Sequence, residues 1–203
     1  MKLINAAWEY RNVGMRCAEF VFDSGDVWNE NLEQIETEFD LITAKVPTPE
    51  IALVHSLENR GYRYIENQFK LSFPLYNGAL RVNKEWIALL SDVSFHELSS
   101  ESEFANLLEE ISVGMFDTDR FYLDPAFGSS ISSTRYSNWI KDMRIAPNCH
   151  ILSLEHMESS IGFVIVKKLS EKTYSGVLGG IFKEFQASGF SHAFIYCNGS
   201  VTR

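Results

Sequence analysis

The chain has 203 residues, of which 45% are hydrophobic and 22% charged, a balance that excludes a disordered or fibrous protein. A net charge of −9 at pH 7 argues against a nucleic-acid partner, because such binding depends on clustered Lys and Arg. No run of about 18 apolar residues occurs and Glu9 interrupts the N-terminal apolar segment, so neither a membrane span nor an export signal is predicted. Cys17, Cys149 and Cys197 form no C-x-x-C pair, which is typical of reduced thiols in a cytoplasmic protein.

The sequence predicts two domains, over residues 1–80 and 81–203, that are joined by the turn-rich segment of residues 74–78. The first is predicted as a small α/β domain. Apolar residues recur at helical spacing over residues 29–38, and residues 40–46 are predicted as a strand.

A second helix of this domain is predicted from its end signals. Thr48 is the expected cap before Pro49 at the first helical position, and Gly61 is the expected left-handed residue after the last turn. Residues 62–73 alternate well enough to predict another strand, which would complete a strand-helix-strand unit. The predicted apolar face of the helix consists of Ile51, Leu53, Val54 and Leu57.

The second domain is predicted to contain two helices followed by a mainly antiparallel sheet, which gives a mixed α/β (α+β) class overall. Ser100 begins a Ser-x-x-Glu pattern that ends at Glu103 and precedes apolar residues at helical spacing. The second helix is predicted over residues 132–143. Three apolar runs follow, with short polar joints that suit antiparallel hairpins. They cover residues 149–154, 161–166 and 174–182.

A loop of small residues, Gln-Ala-Ser-Gly-Phe-Ser, follows the last predicted strand over residues 186–191. Small side chains let backbone N–H groups approach phosphate oxygens closely. The spacing resembles the Q/R-x-x-G-x-G/A loop with which GNAT acetyltransferases hold the pyrophosphate of acetyl-CoA. The order of elements from Ser100 onward is also similar to the first half of a GNAT domain.

A narrower resemblance is to the bacterial dTDP-fucosamine (dTDP-4-amino-sugar) acetyltransferases, in which a small α/β domain precedes the GNAT domain. The similar segments occur in the order of that family and span residues from about 38 to 191. They are residues 39–46, 61–64, 119–121, 124–125 and 136–139.

The resemblance implies an N-acetyltransferase that uses acetyl-CoA as cosubstrate and a nucleotide-linked amino sugar as the amine. The residues implied to pair through their backbones with the pantetheine arm are Leu178, Gly179, Gly180 and Ile181. Those implied to surround the pyrophosphate are Gln186, Ala187, Ser188, Gly189, Phe190 and Ser191. Arg120 and Tyr136 are candidates for the acceptor side, since a diphosphate sugar suits a cation and a nearby aromatic ring.

The chain departs from the GNAT pattern after this loop. Residues 190–203 have room for one helix at most, so a C-terminally incomplete GNAT domain is expected. In the family the general acid is usually a Tyr on a later helix; Tyr196 comes too early, and no catalytic acid is assigned. The apolar sheet residues expected to be exposed as a result are Phe163, Ile165 and Val177.

Other functions stay open at this point. The chain could be a non-catalytic GNAT remnant or an interaction module that binds another chain through an open sheet edge, with a homodimer as one form of such binding. His150 and His156 would face the same way on one strand, as a metal pair might, but no third ligand has fitting spacing. No metal site is therefore predicted.

Overall fold

The structure, a computed structural model, describes residues 1–72, 84–112 and 115–194. The chain divides into two units, Met1–Gln68 and Phe69–Arg203, which are described separately below. The predicted domain boundary between residues 80 and 81 stays a prediction.

The first unit is built on a three-stranded sheet with the order β1-β2-β3. Strand β1 is antiparallel to β2, and β2 is parallel to β3, with α2 as the crossover between them. The helix and strand predicted over residues 29–38 and 40–46 are confirmed as α2 and β3. The elements are β1 (Lys2–Asn5), α1 (Tyr10–Val13), β2 (Cys17–Val21), α2 (Glu30–Glu36), β3 (Leu41–Lys45) and α3 (Ile51–Asn59).

The core of this unit forms where α2 and α3 meet side chains from the region of β2. Asn29 starts α2, because its side-chain oxygen accepts hydrogen bonds from the N–H groups of Asn31 and Leu32 at 3.1 and 3.3 Å. Leu32 on the next turn is then buried. The buried residues of the cluster are Phe20, Phe22, Leu32, Leu53 and Leu57.

The start of α3 differs from the prediction. The helix begins at Ile51 after Glu50, so Thr48 is not its cap and Pro49 is not its first residue. The N–H of Glu50 donates to Pro47 O at 3.0 Å, which places a turn where the first helical turn was expected. The predicted apolar face holds for Leu53 and Leu57, which are buried, whereas Ile51 is 54% exposed.

The end of α3 follows the prediction. Gly61 has a φ of +97°, a conformation that favours glycine. Its N–H donates to Glu58 O at 3.0 Å, and the N–H of Tyr62 donates to Leu57 O at 3.1 Å. These two bonds form a Schellman motif, which satisfies carbonyl groups that the helix itself leaves unpaired.

The strand predicted over residues 62–73 is wrong for the residues that the structure describes, 62–72, which have no regular secondary structure. The alternating apolar side chains have no sheet face to cover them: Phe69 is 83% and Leu71 74% exposed. The predicted strand-helix-strand unit is therefore also wrong. The unit of that kind in the structure lies earlier, in β2, α2 and β3.

The second unit contains a four-stranded sheet with the order β4-β5-β6-β7, in which all neighbours are antiparallel. Both predicted helices and the three-strand meander are confirmed, as are the mixed α/β class and the mainly antiparallel sheet. Helices α4 and α6 and strand β4 had no prediction. The elements are α4 (Lys84–Leu89), β4 (Val93–Glu97), α5 (Glu101–Ser112), α6 (Arg120–Leu123), α7 (Ser129–Ile145), β5 (Cys149–His156), β6 (Ser159–Ser170) and β7 (Thr173–Ile181).

Both faces of this sheet carry a hydrophobic cluster. The helix-facing cluster joins α5 and α7 to one face and consists of Phe104, Leu107, Ile111, Met115, Ile140, Ile151, Phe163, Ile165 and Phe182. The opposite cluster consists of Leu90, Leu152, Leu154, Ile161, Val164, Val166, Ile181, Phe190 and Ala193. The expected exposure of Phe163 and Ile165 is therefore wrong: α5 and α7 cover them, and their exposed fractions are 1% and 0%.

Candidate cofactor-binding site

Strand β7 lies at an edge of the sheet. Within the described part of the chain it pairs with β6 alone, in a register that places Gly179 opposite Val164 and Gly180 opposite Phe163. The register shifts at Val177, which forms a bulge two residues before Gly179. An edge strand presents backbone N–H and C=O groups on its outer side. Four predicted site residues lie here, namely Leu178, Gly179, Gly180 and Ile181.

Gly179 and Gly180 of β7 face other atoms of this chain. A Cβ at Gly180 would collide with the sulphur of Met115. A Cβ at Gly179 would lie 3.1 Å from the carbonyl oxygen of Phe163 and 3.4 Å from the ring of Phe194. A side chain at Gly180 would therefore displace Met115, and one at Gly179 would crowd Phe163 and Phe194; the role of both glycines toward a pantetheine arm stays a prediction.

The predicted phosphate loop is tied back to the end of β7. The side-chain amide of Gln186 donates to Ile181 O at 3.2 Å, and the hydroxyl of Ser188 donates to Phe185 O. Ala187 and Gly189 have φ values of +62° and +87°. A positive φ is uncommon for a residue other than glycine, so the conformation at Ala187 is set by the loop and not by its own preference.

Consecutive backbone N–H groups of the loop have no acceptor among the described residues. Among the hydrogen bonds of the described residues, none has the N–H of residues 187–191 as its donor. The next N–H, of His192, donates to Gly189 O at 3.2 Å. Successive N–H groups on a turn with left-handed residues are a common anion-binding arrangement.

Charged side chains add little to this arrangement. Exposed Lys183 is followed by exposed Glu184, so their charges offset each other. His192 is turned toward the loop itself, because its Nδ1 lies 2.7 Å from Gly189 O and its ring 4.2 Å from the ring of Trp86. Any anion held at residues 187–191 would therefore depend on backbone groups.

The two candidates for the acceptor side belong to one aromatic cluster. Arg120 starts α6 with its guanidinium 5.1 Å from the ring of Phe121. The guanidinium of Arg135 lies 4.5 Å from the same ring and 5.8 Å from the ring of Tyr136. The ring of Tyr136 stacks on Phe116 at 3.9 Å. Both candidates thus have packing roles, and contact with an acceptor stays a prediction.

A cleft of about 350 Å³ lies between α5 and the sheet, and no pattern of the sequence predicts it. His96 on β4 lies between two of its carboxylates: Nε2 is 3.1 Å from Glu103 Oε1, and Nδ1 is 3.2 Å from Glu155 Oε1. The Ser-x-x-Glu pattern predicted the helix start at Glu103, but no local signal indicated that His96 would join α5 to β5.

The carboxylate of Glu103 in this cleft is held by several hydrogen bonds. Its Oε2 accepts hydrogen bonds from Ser99 N, Ser100 N and Ser100 Oγ at 3.1, 2.9 and 2.8 Å. Its own N–H donates to Ser100 Oγ at 3.2 Å, which completes a capping box at the start of α5. The hydrogen bonds from Ser100, then those from Ser99 and His96, lower the pKa of Glu103 to about 2.

The described residues contain no group of three or more His, Cys, Asp and Glu side chains suited to a metal ion. No described helix combines the length and apolar character that a bilayer crossing needs. Cys17 and Cys149 are free thiols, and burial raises the pKa of Cys17. Cys197 and Tyr196 lie outside the described residues.

Comparison with solved structures gives GNAT acetyltransferases at low similarity. A GNAT family acetyltransferase of Staphylococcus aureus is 14% identical over 55% of this chain and 78% of its own, with a TM-score of 0.37. The PaiA N-acetyltransferase of Thermoplasma acidophilum, in complex with coenzyme A, is 12% identical over 54% and 71%, also at 0.37. The spermidine N-acetyltransferase of Vibrio cholerae, with CoA and spermine, is 12% identical over 52% and 60%, at 0.33.

These likenesses cover about half of the chain, and none reaches a TM-score at which two folds are generally taken to be the same. No protein-family model matches the chain, and no curated protein does. The chemistry that follows is therefore argued from the residues of this chain.

Proposed function

We propose that this protein is an acetyl-CoA-dependent N-acetyltransferase of the GNAT type. The observation that carries the proposal is the junction of β7 with the loop of residues 186–191. Within the described part of the chain β7 pairs with β6 alone, and after the short 3-10 helix of Lys183–Phe185 comes a loop whose N–H groups at residues 187–191 donate to no described group. An extended amide-bearing chain that ends in a pyrophosphate needs these two features in this order.

In this arrangement the pantetheine arm extends beside β7 and the pyrophosphate lies against residues 187–191. The reaction is attack of a neutral amine on the thioester carbon: the C–N bond forms, the C–S bond breaks, the amine loses a proton and the thiolate gains one. A backbone N–H near Gly180 or Ile181 is the proposed donor to the carbonyl oxygen, where negative charge develops in the transition state. The proton donor to the thiolate is not assigned.

The acceptor is proposed as a primary amine, and at finer detail as a nucleotide-linked amino sugar. Arg120 would contact the diphosphate, because a guanidinium binds phosphate oxygens with paired hydrogen bonds, and Tyr136 would lie beside the sugar. The spermidine N-acetyltransferase named above contains spermine, a cationic amine. Polyamines are therefore the substrates against which the amino sugar is compared in the activity assay below.

A second candidate function follows from the same edge strand. The outer side of β7 could pair with an extended segment of another chain, including a second copy, as the open sheet edge of a non-catalytic module. The two functions differ in what the loop of residues 186–191 does, because strand pairing does not require an anion site.

Calorimetric titration of the full chain with acetyl-CoA tests the cofactor site. Gly189→Glu places bulk and negative charge at the loop, and Gly25→Glu is its matched control because Gly25 has a φ of +86° and Gly189 one of +87°. We expect saturable binding that Gly189→Glu abolishes and Gly25→Glu retains. Equal loss in both variants, or no heat from folded wild-type protein, would contradict the proposal.

Acetyl transfer is then measured by release of free CoA thiol with dTDP-amino sugars and with spermine. We expect turnover of the amino sugar, and a raised KM for that substrate in Arg120→Ala. Turnover of spermine alone would support the N-acetyltransferase and overturn the finer assignment. Binding without turnover of any amine, in a protein that forms oligomers, would favour the interaction module.

A further inference from the structure

The cleft between α5 and the sheet contains a histidine that contacts two carboxylates at once. The Nε2 of His96 lies 3.1 Å from Glu103 on α5, and its Nδ1 lies 3.2 Å from Glu155 on β5. Both ring nitrogens can donate hydrogen bonds only when the imidazole carries two protons. A charged imidazole at this position can donate to both carboxylates, whereas a neutral one can donate to only one of them.

The remaining charges of the cleft have the same sign as these two carboxylates. Glu109 and Glu110 line it from α5, and no Lys or Arg is among its described lining residues. Ser153, directly opposite His96 on β5, and Ser160 contribute hydroxyl groups that contact each other at 3.0 Å. Among the described lining residues, His96 is thus the one that can carry a positive charge.

The two carboxylates beside His96 are not held equally. Glu103 also accepts hydrogen bonds from Ser99 and Ser100, so its position does not depend on the histidine. In the described part of the chain, the carboxylate of Glu155 has His96 as its one ion-pair or hydrogen-bond partner. Loss of one ring proton would leave a nitrogen lone pair facing one of the carboxylates, and Glu155 is the one that is free to move away.

We propose that His96 links α5 to β5 in a pH-dependent way. Charged His96 contacts both Glu103 and Glu155, whereas neutral His96 keeps its contact with Glu103 and loses the one with Glu155. We call this link the His96 clasp. Histidine is the side chain that ordinarily changes charge between about pH 5 and 8. Release removes the positive charge of His96 from the lining of the cleft and frees the carboxylate of Glu155. The clasp does not depend on the acetyltransferase assignment.

The protein contains a matched internal control. His150 on β5 contacts a single carboxylate, with Nδ1 at 2.8 Å from Glu97, and the side chains of His150 and His96 are both 39% exposed. A neutral His150 can still donate from Nδ1 to Glu97. Its pair should therefore survive deprotonation, whereas the His96–Glu155 contact should not.

NMR titration of the labelled full chain from about pH 5 to 8 tests the clasp. We expect the side-chain carboxyl carbon of Glu155 to shift with the same midpoint as the His96 ring, and the nuclear Overhauser contact between the two side chains to be lost above it. The His150–Glu97 contact should persist, and in His96→Gln the shift of Glu155 should be flat over this range. A Glu155 signal in the wild-type protein that does not follow the His96 ring, or a contact that persists, would overturn the proposal.

Discussion

At Gly180, the position that a Cβ would occupy faces the sulphur of Met115, and a methyl group does not fit between them. Gly180→Ala must therefore displace Met115, which belongs to the helix-facing cluster. We expect a loss of about 1–3 kcal/mol in the free energy of unfolding, measured by urea denaturation, as is typical of overpacked cores.

The control for this prediction is a double-mutant cycle. Met115→Ala removes the colliding sulphur, so Gly180→Ala should cost less in that background than in the wild type. An equal cost in both backgrounds would mean that the backbone at Gly180, and not its contact with Met115, requires glycine.

Ser132 on α7 is a buried hydroxyl whose replacement should destabilise the protein. Its Oγ lies 3.1 Å from Phe116 O and also contacts the carboxylate of Asp119, which caps α6 through Phe121 N at 2.9 Å. Ser132→Ala removes the hydroxyl that these two acceptors share, and the loss of such a buried donor typically costs about 1–3 kcal/mol. Thermal and urea unfolding measure the cost, and Ser133→Ala, at a half-buried position on the same helix, should change it much less.

Glu103 should make folding sensitive to acid in a defined range. Its pKa is about 2 in the folded chain, against an ordinary value of 4.5, so its contribution to stability is present above pH 4.5 and is lost as the pH falls toward 2. We expect the melting temperature of Glu103→Gln to lie below that of the wild type at neutral pH and to approach it near pH 2. A constant difference over the whole range would contradict this assignment, and Ser100→Ala should move the loss to higher pH because it removes one donor to Glu103.

The parts of the fold that follow from neighbouring residues could be predicted from the sequence. The capping box of Ser100 and Glu103, the left-handed Gly61 and the alternation of the meander all act over a few residues. Strand β4 could not be predicted in this way, because Val93–Glu97 is short and its assignment depends on β5, far along the chain. Residues 62–72 show the converse, since an alternating pattern without a partner strand does not form a sheet.

The features of the candidate sites also divide into those set by neighbouring residues and those set by tertiary packing. The spacing around Gly189 predicted a loop that does adopt left-handed conformations at Ala187 and Gly189. The collision between Gly180 and Met115 and the position of His96 between Glu103 and Glu155 depend on tertiary packing. No pattern of residues near any of these positions contains that information.

Neighbouring residues of β6 serve different cores, since Val164 belongs to the opposite cluster and Ile165 to the helix-facing cluster. A slip of one residue between β5 and β6 would turn each of these side chains to the other face. In a sheet with one solvent-exposed face, a slip disturbs the packing of one face only, because the side chains of the other face contact water. In this protein a slip would disturb the packing of both hydrophobic clusters at once. Each cluster therefore favours the same register of β5 and β6 independently.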